Sequence, residues 1–172
     1  EARAAGITRV WGATFGYGAD PQDAAEQFRA NYSRMFGVRA EDLVPVGPSA
    51  DGRHTQPLGW NPETGEYQFT LVNYSQYLDG LPVFRSGLKL LTRNEANYPL
   101  VWAGSSLRDL GAFRVGGSLY EAEAGRRAAM EKIPSLINFT DPEAVVWTGT
   151  ADTVEAPVTA LTFTADNDGS PL

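Results

Sequence analysis

One histidine, His54, and no cysteine stand in a chain of 172 residues, and these two counts decide most of the acid–base and metal chemistry open to it. An HExxH zinc helix, a multi-histidine iron site and a zinc–histidine triad all need imidazoles that the chain lacks, so hydrolysis at a zinc ion held by this chain is excluded. A Ser-His-Asp triad could draw on His54, but no serine sits in a nucleophile elbow and the histidine falls in a polar loop, so no general base is assigned. Without cysteine there is neither a disulfide framework nor a thiolate ligand.

Oxygen donors fare little better. The run DNDGS, residues 166 to 170, sets carboxylate and amide oxygens close enough to suit a hard cation, but the bidentate Glu that closes a calcium loop has no place before Leu172. A hairpin turn is the expectation there. Residues 16 to 18, GYG, lack a third glycine and are read with no strand before them, as a flexible approach to a helix rather than a phosphate cradle. The acid pairs Glu41/Asp42 and Glu121/Glu123 fall in a turn and at a helix start, where negative charge answers the backbone dipole. Arg126 and Arg127 belong to a solvated helix face. No metal and no cofactor are expected.

A net charge of −7 opposes a phosphate backbone, because such binding draws on clustered Lys and Arg that release counterions; nucleic acid is not an expected partner. No apolar run approaches the roughly 18 residues needed to span a bilayer. The chain opens at Glu1 with neither an initiator Met nor a signal-type segment and is read as a piece of a longer protein. With 42% hydrophobic and 20% charged residues it should fold on an ordinary core.

Elements follow from period and punctuation. Asp20 as cap and Pro21 at the first helical position open a helix, Ala25, Phe28, Tyr32, Met35 and Phe36 mark its apolar stripe, and Gly37 is the left-handed stop. Residues 44 to 65, dense in Pro, Gly, Asn and Asp, read as a long loop pinned by Trp60 that has room for a short strand. In EYQFTLVNYSQYL, Tyr67, Phe69 and Leu71 share one face and Val72 and Tyr74 the other. Asp79-Gly80 then turns the chain into LPVFRSGLKLLT, where Val83, Leu88 and Leu90 supply apolar contacts; Pro82 is expected at an edge or non-bonded position. A turn at RNEAN leads to YPLVWAG and completes a three-stranded meander. Ser118 and Glu121 have capping-box spacing for a second helix, whose stripe Ala122, Gly125, Ala129 and Ile133 would pack closely on a sheet and which Pro134 ends. Strands AVVWTGT and PVTALTFTA follow. Helix then antiparallel strands, presented twice, is an α+β pattern.

Read together, YSQYLDGLPVFRSGLKLL resembles the signature of the fungalysin/thermolysin propeptide domain, with Tyr74 or Gln76, and Tyr77, followed by Gly80, Leu81, Pro82, Val83 and Phe84, then Ser86 and Leu88. The preceding AAEQFRANYSRMFGVRAEDL is similar to that family's helix, and the resemblance covers residues 20 to about 112. Arg85 stands where the family has Gly, and Gly87 where it has an acidic residue. From Ser118 onward the chain looks like a truncated PepSY-type module. The resemblance implies a cystatin-like helix packed on an antiparallel sheet in two consecutive small modules, 1–112 and 113–172. It also implies export to the cell exterior or envelope. The role it implies is that of a non-catalytic intramolecular chaperone and inhibitor of a secreted zinc metallopeptidase, its partner in cis or trans, with Gln76, Tyr77 and Gly80 to Phe84 as binding residues.

Two other expectations stand beside this one. A free-standing exported or cell-envelope domain binding a peptide or ligand would need an exposed aromatic groove, for which Trp60, Tyr67 and Tyr74 are the candidates. An enzyme with a pocket in the sheet's concavity would have to rely on His54.

Overall fold

The computed structural model describes residues 3–4, 7–47, 51–116, 121–150 and 153–168. In chain order the elements are β1 (Arg3–Ala4), β2 (Arg9–Gly16), α1 (Pro21–Tyr32), β3 (Leu43–Val44), β4 (Thr55–Asn61), β5 (Glu66–Leu78), β6 (Leu81–Arg93), β7 (Leu100–Ser105) and β8 (Arg108–Asp109). After them come α2 (Ala122–Lys132), β9 (Leu136–Ile137), β10 (Glu143–Gly149), β11 (Val154–Thr162) and β12 (Asp166–Asn167). Among the described residues two α-helices and a mixed, mostly antiparallel sheet make the fold α+β. Among the described residues no helix is long and apolar enough to cross a membrane.

Asp20 starts α1 as its sequence requires: its carboxylate accepts the Asp23 N–H at 2.8 Å, and Pro21 fills a position that has no intrahelical donor duty. The α-helix stops at Tyr32, sooner than the apolar stripe suggests. A 3₁₀ turn, Ser33–Phe36, carries on to Gly37, whose φ of 78° ends it. Three residues per turn instead of 3.6 change the phase of the stripe. Ala25, Phe28 and Phe36 therefore point inward, while Tyr32 and Met35 are exposed.

The inward side chains meet one face of the sheet. Val72, Tyr74, Leu88, Leu90, Leu100 and Ala103 close with Phe28, Phe36, Val38 and Leu43 into a buried core. Each such large side chain contributes on the order of 2 kcal/mol by leaving water. At the rim of this core the Arg29 guanidinium holds Glu26, donates to the Ala40 and Leu43 carbonyls and lies 5.8 Å from the Tyr74 ring. The Tyr74 hydroxyl in turn donates to Glu26 at 3.3 Å. Arg29 holds the Glu26 carboxyl below the usual carboxylate range, and burial, aided by the Glu26 charge, pushes the Tyr74 phenol far above its ordinary value.

The stretch from 44 to 65 contains a strand. β4 pairs antiparallel along β5, Thr55 opposite Val72 through Asn61 opposite Glu66, although Pro57 and Gly59 break any local period. GYG also departs from expectation. β2 precedes it, and the segment is fixed: Gly18 donates to the Asn97 carbonyl at 2.9 Å, and a Cβ on it would lie 2.2 Å from the Ala24 nitrogen. The helix start beyond it is filled by the protein's own acids, since Asp23 accepts the Ala19 N–H at 2.8 Å.

Ser118 and its capping box lie outside the described residues. Glu121 stands at the N-cap of α2 without a side-chain cap bond, and α2 ends at Lys132, just before Pro134. No α2 residue is buried, so the close helix-on-sheet packing expected from its small residues is not formed; Gly125 instead faces the Phe163 ring, which stacks edge-on against Phe139. Asp166 and Asn167 form β12, paired with β9, where Asn138 donates to Asp166; residues 169 and 170 of the oxygen-rich run lie outside the described set.

The raised Tyr74 phenol makes a pH prediction. Because its folded value lies above the unfolded one near 10, its contribution to stability is complete below about pH 10 and is lost as pH rises beyond. Titration followed by phenolate absorbance should show one tyrosine ionising only as the protein unfolds, and Tyr74→Phe should remove that late step; a wild-type curve in which every tyrosine ionises before unfolding would contradict the burial.

Candidate functional site

Asp79 and Gly80 carry positive φ, 50° and 85°, and form the tight turn between β5 and β6, with Leu78 opposite Leu81. In such a hairpin the next pair out, Tyr77 opposite Pro82, is the non-hydrogen-bonded kind. The missing N–H of Pro82 therefore points away from β5, where no ladder bond to it is lost.

Beyond Pro82 the ladder slips. Tyr77 faces Pro82, yet Ser75 faces Gly87, so the segment from Val83 to Ser86 stands opposite Gln76 alone. At the middle of this bulge Arg85 takes φ 53°, the left-handed region that suits glycine. Here β6 changes partners. Its first part pairs in parallel with β10, Val83 against Val146, and its later part pairs antiparallel with β7 from Leu88 onward. The side-chain alternation flips across the bulge, which lets both Val83 and Leu88 point into buried surroundings despite odd spacing.

Gln76 fills the gap in the ladder with its side chain. Its Nε2 donates to the Arg108 carbonyl at 2.7 Å, and its Oε1 accepts the Arg108 N–H at 2.9 Å and the Ser86 hydroxyl at 2.5 Å. Ser106 seals the other side, accepting the Gly87 N–H and donating to the Arg85 carbonyl, both at 3.1 Å. Phe84 stacks on Trp147 with ring centres 5.0 Å apart, and the Arg85 guanidinium lies 5.1 Å from the Phe84 ring. Gly87 is sterically forced: a Cβ would approach the Tyr74 carbonyl oxygen to 2.6 Å, so this backbone has no room for the acidic residue that the resembled family carries there.

Of the residues singled out from sequence, Gln76 and Val83 are thus interior, and Phe84 joins the meander to the β10–β11 hairpin. Leu81 and Pro82 are half-buried, Gly80 is exposed, and Tyr77 lines a cavity of about 520 Å³ together with Gln76, Arg39, Asp79, Arg108 and Arg114. His54 is half-buried, its ring meeting the Gln22 amide at 3.4 Å. Among the described residues no group of three His, Asp or Glu is placed to hold a metal ion.

The other side of the sheet is the larger candidate. Opposite the helix, cross-strand neighbours run Arg9, Gly104, Lys89 and Asn73 in one rung, and Trp11, Trp102, Leu91, Leu71 and Gln56 in the next. Arg93, Phe69 and Leu58 share a third rung and Tyr67 and Trp60 a fourth. Trp11 is 69% exposed and Trp60 56%, and the Trp60 and Tyr67 rings meet edge-on at 5.0 Å. No carboxylate stands on these rungs; Glu95, on the turn beyond, reaches Arg93 at 3.8 Å. Tyr74, grouped with Trp60 and Tyr67 as a groove candidate, lies on the opposite face and is buried, because residues of odd and even number on one strand face opposite ways. Sequence reasoning misses Trp11, Trp102 and Arg108. The alternation of Arg9, Val10 and Trp11 is the one local signal that could have marked the first.

No family model, no curated protein and no solved structure matches this chain.

Gln76→Met, equal in length but unable to bond, should cost about 2–4 kcal/mol, since it leaves the N–H and carbonyl of Arg108 buried without partners. Arg85→Val should lose about 1–2 kcal/mol relative to Arg85→Gly, because a β-branched residue is strained at positive φ. Urea midpoints at constant slope measure both, and equal midpoints for the two Arg85 variants would show that the left-handed conformation is not required.

Proposed function

We propose that the chain is a non-catalytic pro-region-like module, cystatin-like in its first part and PepSY-like in its second. In this reading it is exported with a thermolysin- or fungalysin-like zinc metallopeptidase, which it helps to fold and whose cleft it occludes. The observation that carries the reading is the open sheet face. Exposed Trp11, Trp60 and Tyr67, with half-buried Trp102, Leu91 and Leu71 on the same face, line it with apolar side chains. Arg9, Lys89 and Arg93 make that face cationic in a chain of net charge −7, which suits an acidic patch on a folded partner.

Further support comes from Arg85. It departs from the family pattern in side chain but occupies a backbone conformation in which glycine is favoured, so the bulge has the shape a glycine there would take. The hairpin residues act on this reading by building the joint beneath the docking face, and inhibition is steric, with no metal-binding switch. A second reading, a free-standing peptide-binding domain, is favoured by one feature: among the described residues β4 pairs only with β5, leaving its outer edge beside Trp60 open for strand addition.

An HExxH helix encoded downstream in the same reading frame is expected, and its absence over the next few hundred residues would end the pro-region reading. With that catalytic domain in hand, the chain should slow peptide hydrolysis competitively and raise the yield of active enzyme on refolding. A Trp11→Ala/Trp60→Ala double variant should weaken inhibition by about tenfold or more while its unfolding midpoint stays near wild type. Undiminished inhibition by that variant would move the docking surface elsewhere.

A further inference from the structure

The open sheet face is not uniform along its length. Where β2, β7 and β6 run side by side, Arg9, Gly104 and Lys89 share one rung, and Trp11 and Trp102 are neighbours in the next. Gly104 leaves a gap in the first rung and the Trp102 ring fills it: a Cβ on Gly104 would lie 2.1 Å from Cη2 and 2.5 Å from Cζ2 of that indole. The half-buried ring therefore lies in the row between the two cations, with Trp11, 69% exposed, beside it. Arg9 and Lys89 are both exposed, and neither makes an ion pair among the described residues.

This spacing selects among polyanions. Arg9 and Lys89 are two strands apart, about 10 Å between their backbones, which is close to the repeat of one disaccharide in an extended glycan. Anionic groups on alternate sugars would reach both cations. The uncharged sugar between them would rest its C–H groups on the indole, whose ring face is partly negative. A nucleic acid strand carries a charge on every nucleotide. Past Arg9 and Lys89 it would meet Leu91 and Leu71, and then Arg93, which Glu95 already holds at 3.8 Å. The three cations of this face also fall short of the basic cluster that holds a protein to anionic lipid.

We propose that this end of the sheet face binds a linear acidic polysaccharide bearing a carboxylate on alternate sugars, the carboxylates at Arg9 and Lys89 and the neutral sugar against Trp102 and Trp11. The assignment does not rest on the pro-region reading, although a bound glycan would compete with a docked partner for Trp11.

Titration calorimetry of the chain tests it with a hyaluronan hexasaccharide, which carries glucuronate on alternate sugars, against neutral chitohexaose, hexathymidylate and vesicles of phosphatidylcholine and phosphatidylglycerol. The hyaluronan hexasaccharide should bind tightest, and chitohexaose about tenfold or more weaker, since its charge-assisted contacts are missing. Arg9→Gln/Lys89→Gln should bring the hyaluronan hexasaccharide down to the level of chitohexaose, whereas Trp11→Ala should weaken both sugars by a similar factor. All three positions are exposed, so unfolding midpoints should stay near wild type. No binding of the hyaluronan hexasaccharide, equal binding of chitohexaose, hexathymidylate or vesicles as the best ligand, or undiminished affinity in the double charge variant would overturn the proposal. No arm contains a protease, so each outcome is read separately from inhibition.

Discussion

The left-handed turn of the backbone at Arg85, bridged by the Gln76 amide, is the constraint on which the remaining architecture depends. A strand of period 2 cannot turn both Val83 and Leu88 to the same face while it stays in one ladder. The bulge resolves this by letting β6 leave β5, pair with β10 at Val83, and enter the meander beside β7. Gln76 replaces the lost ladder bonds by offering one donor and one acceptor to Arg108, the pairing that a neighbouring strand would otherwise supply. Since the amide is buried, either half of that pairing left open would cost more than the bond itself contributes.

Both candidate surfaces are consequences of this arrangement. Beside the bulge, the end of β5, the 37–42 segment and the residues from Arg108 to Arg114 leave a cavity between them. Where β5 and β6 run together beyond the bulge, β4, β5 and β6 pair without a break, and β7 and β2 keep register with them as far as Trp102 and Trp11, so these rungs present aligned side chains. One face of that ladder is closed by α1, with Phe28 and Phe36 seated on Leu90, Val72 and Ala103. The opposite face is left to Trp11, Trp102, Tyr67 and Trp60. At the helix-side rim, the contacts among Arg29, Glu26 and Tyr74 tie helix, 3₁₀ segment and sheet together in one partly dry cluster.

Features governed by neighbours along the chain are legible in the sequence itself. The Asp20 cap with Pro21, the stop at Gly37, the turn at Asp79-Gly80 and the opposed faces of β5 all follow from local sterics and from the positions of donors and acceptors. Features governed by distant partners are not. β4 carries Pro57 and Gly59 and shows no period of its own; its conformation is imposed by hydrogen bonds to β5, whose regular alternation dictates the register. GYG reads as flexible until Asn97 and the Ala24 backbone close around Gly18. Arg108 looks like any surface arginine in LRDL, because nothing adjacent in sequence reveals that Gln76 bonds its backbone and the Thr150 carbonyl accepts from its guanidinium.

By itself, then, the sequence determined the α+β class, the first helix and hairpin, and the absence of any thiol, since these rest on residue types and on contacts within a few positions. Tertiary structure decided that the hairpin residues form an internal joint, that Tyr74 is core while Trp11 and Trp60 are surface, and that a guanidinium is buried without a counter-charge among the described residues. The physical reason is that burial and hydrogen-bond satisfaction belong to a position in space. Parity along a strand says which side chains travel together, and only the packing of α1 on one face says which of the two sets meets water.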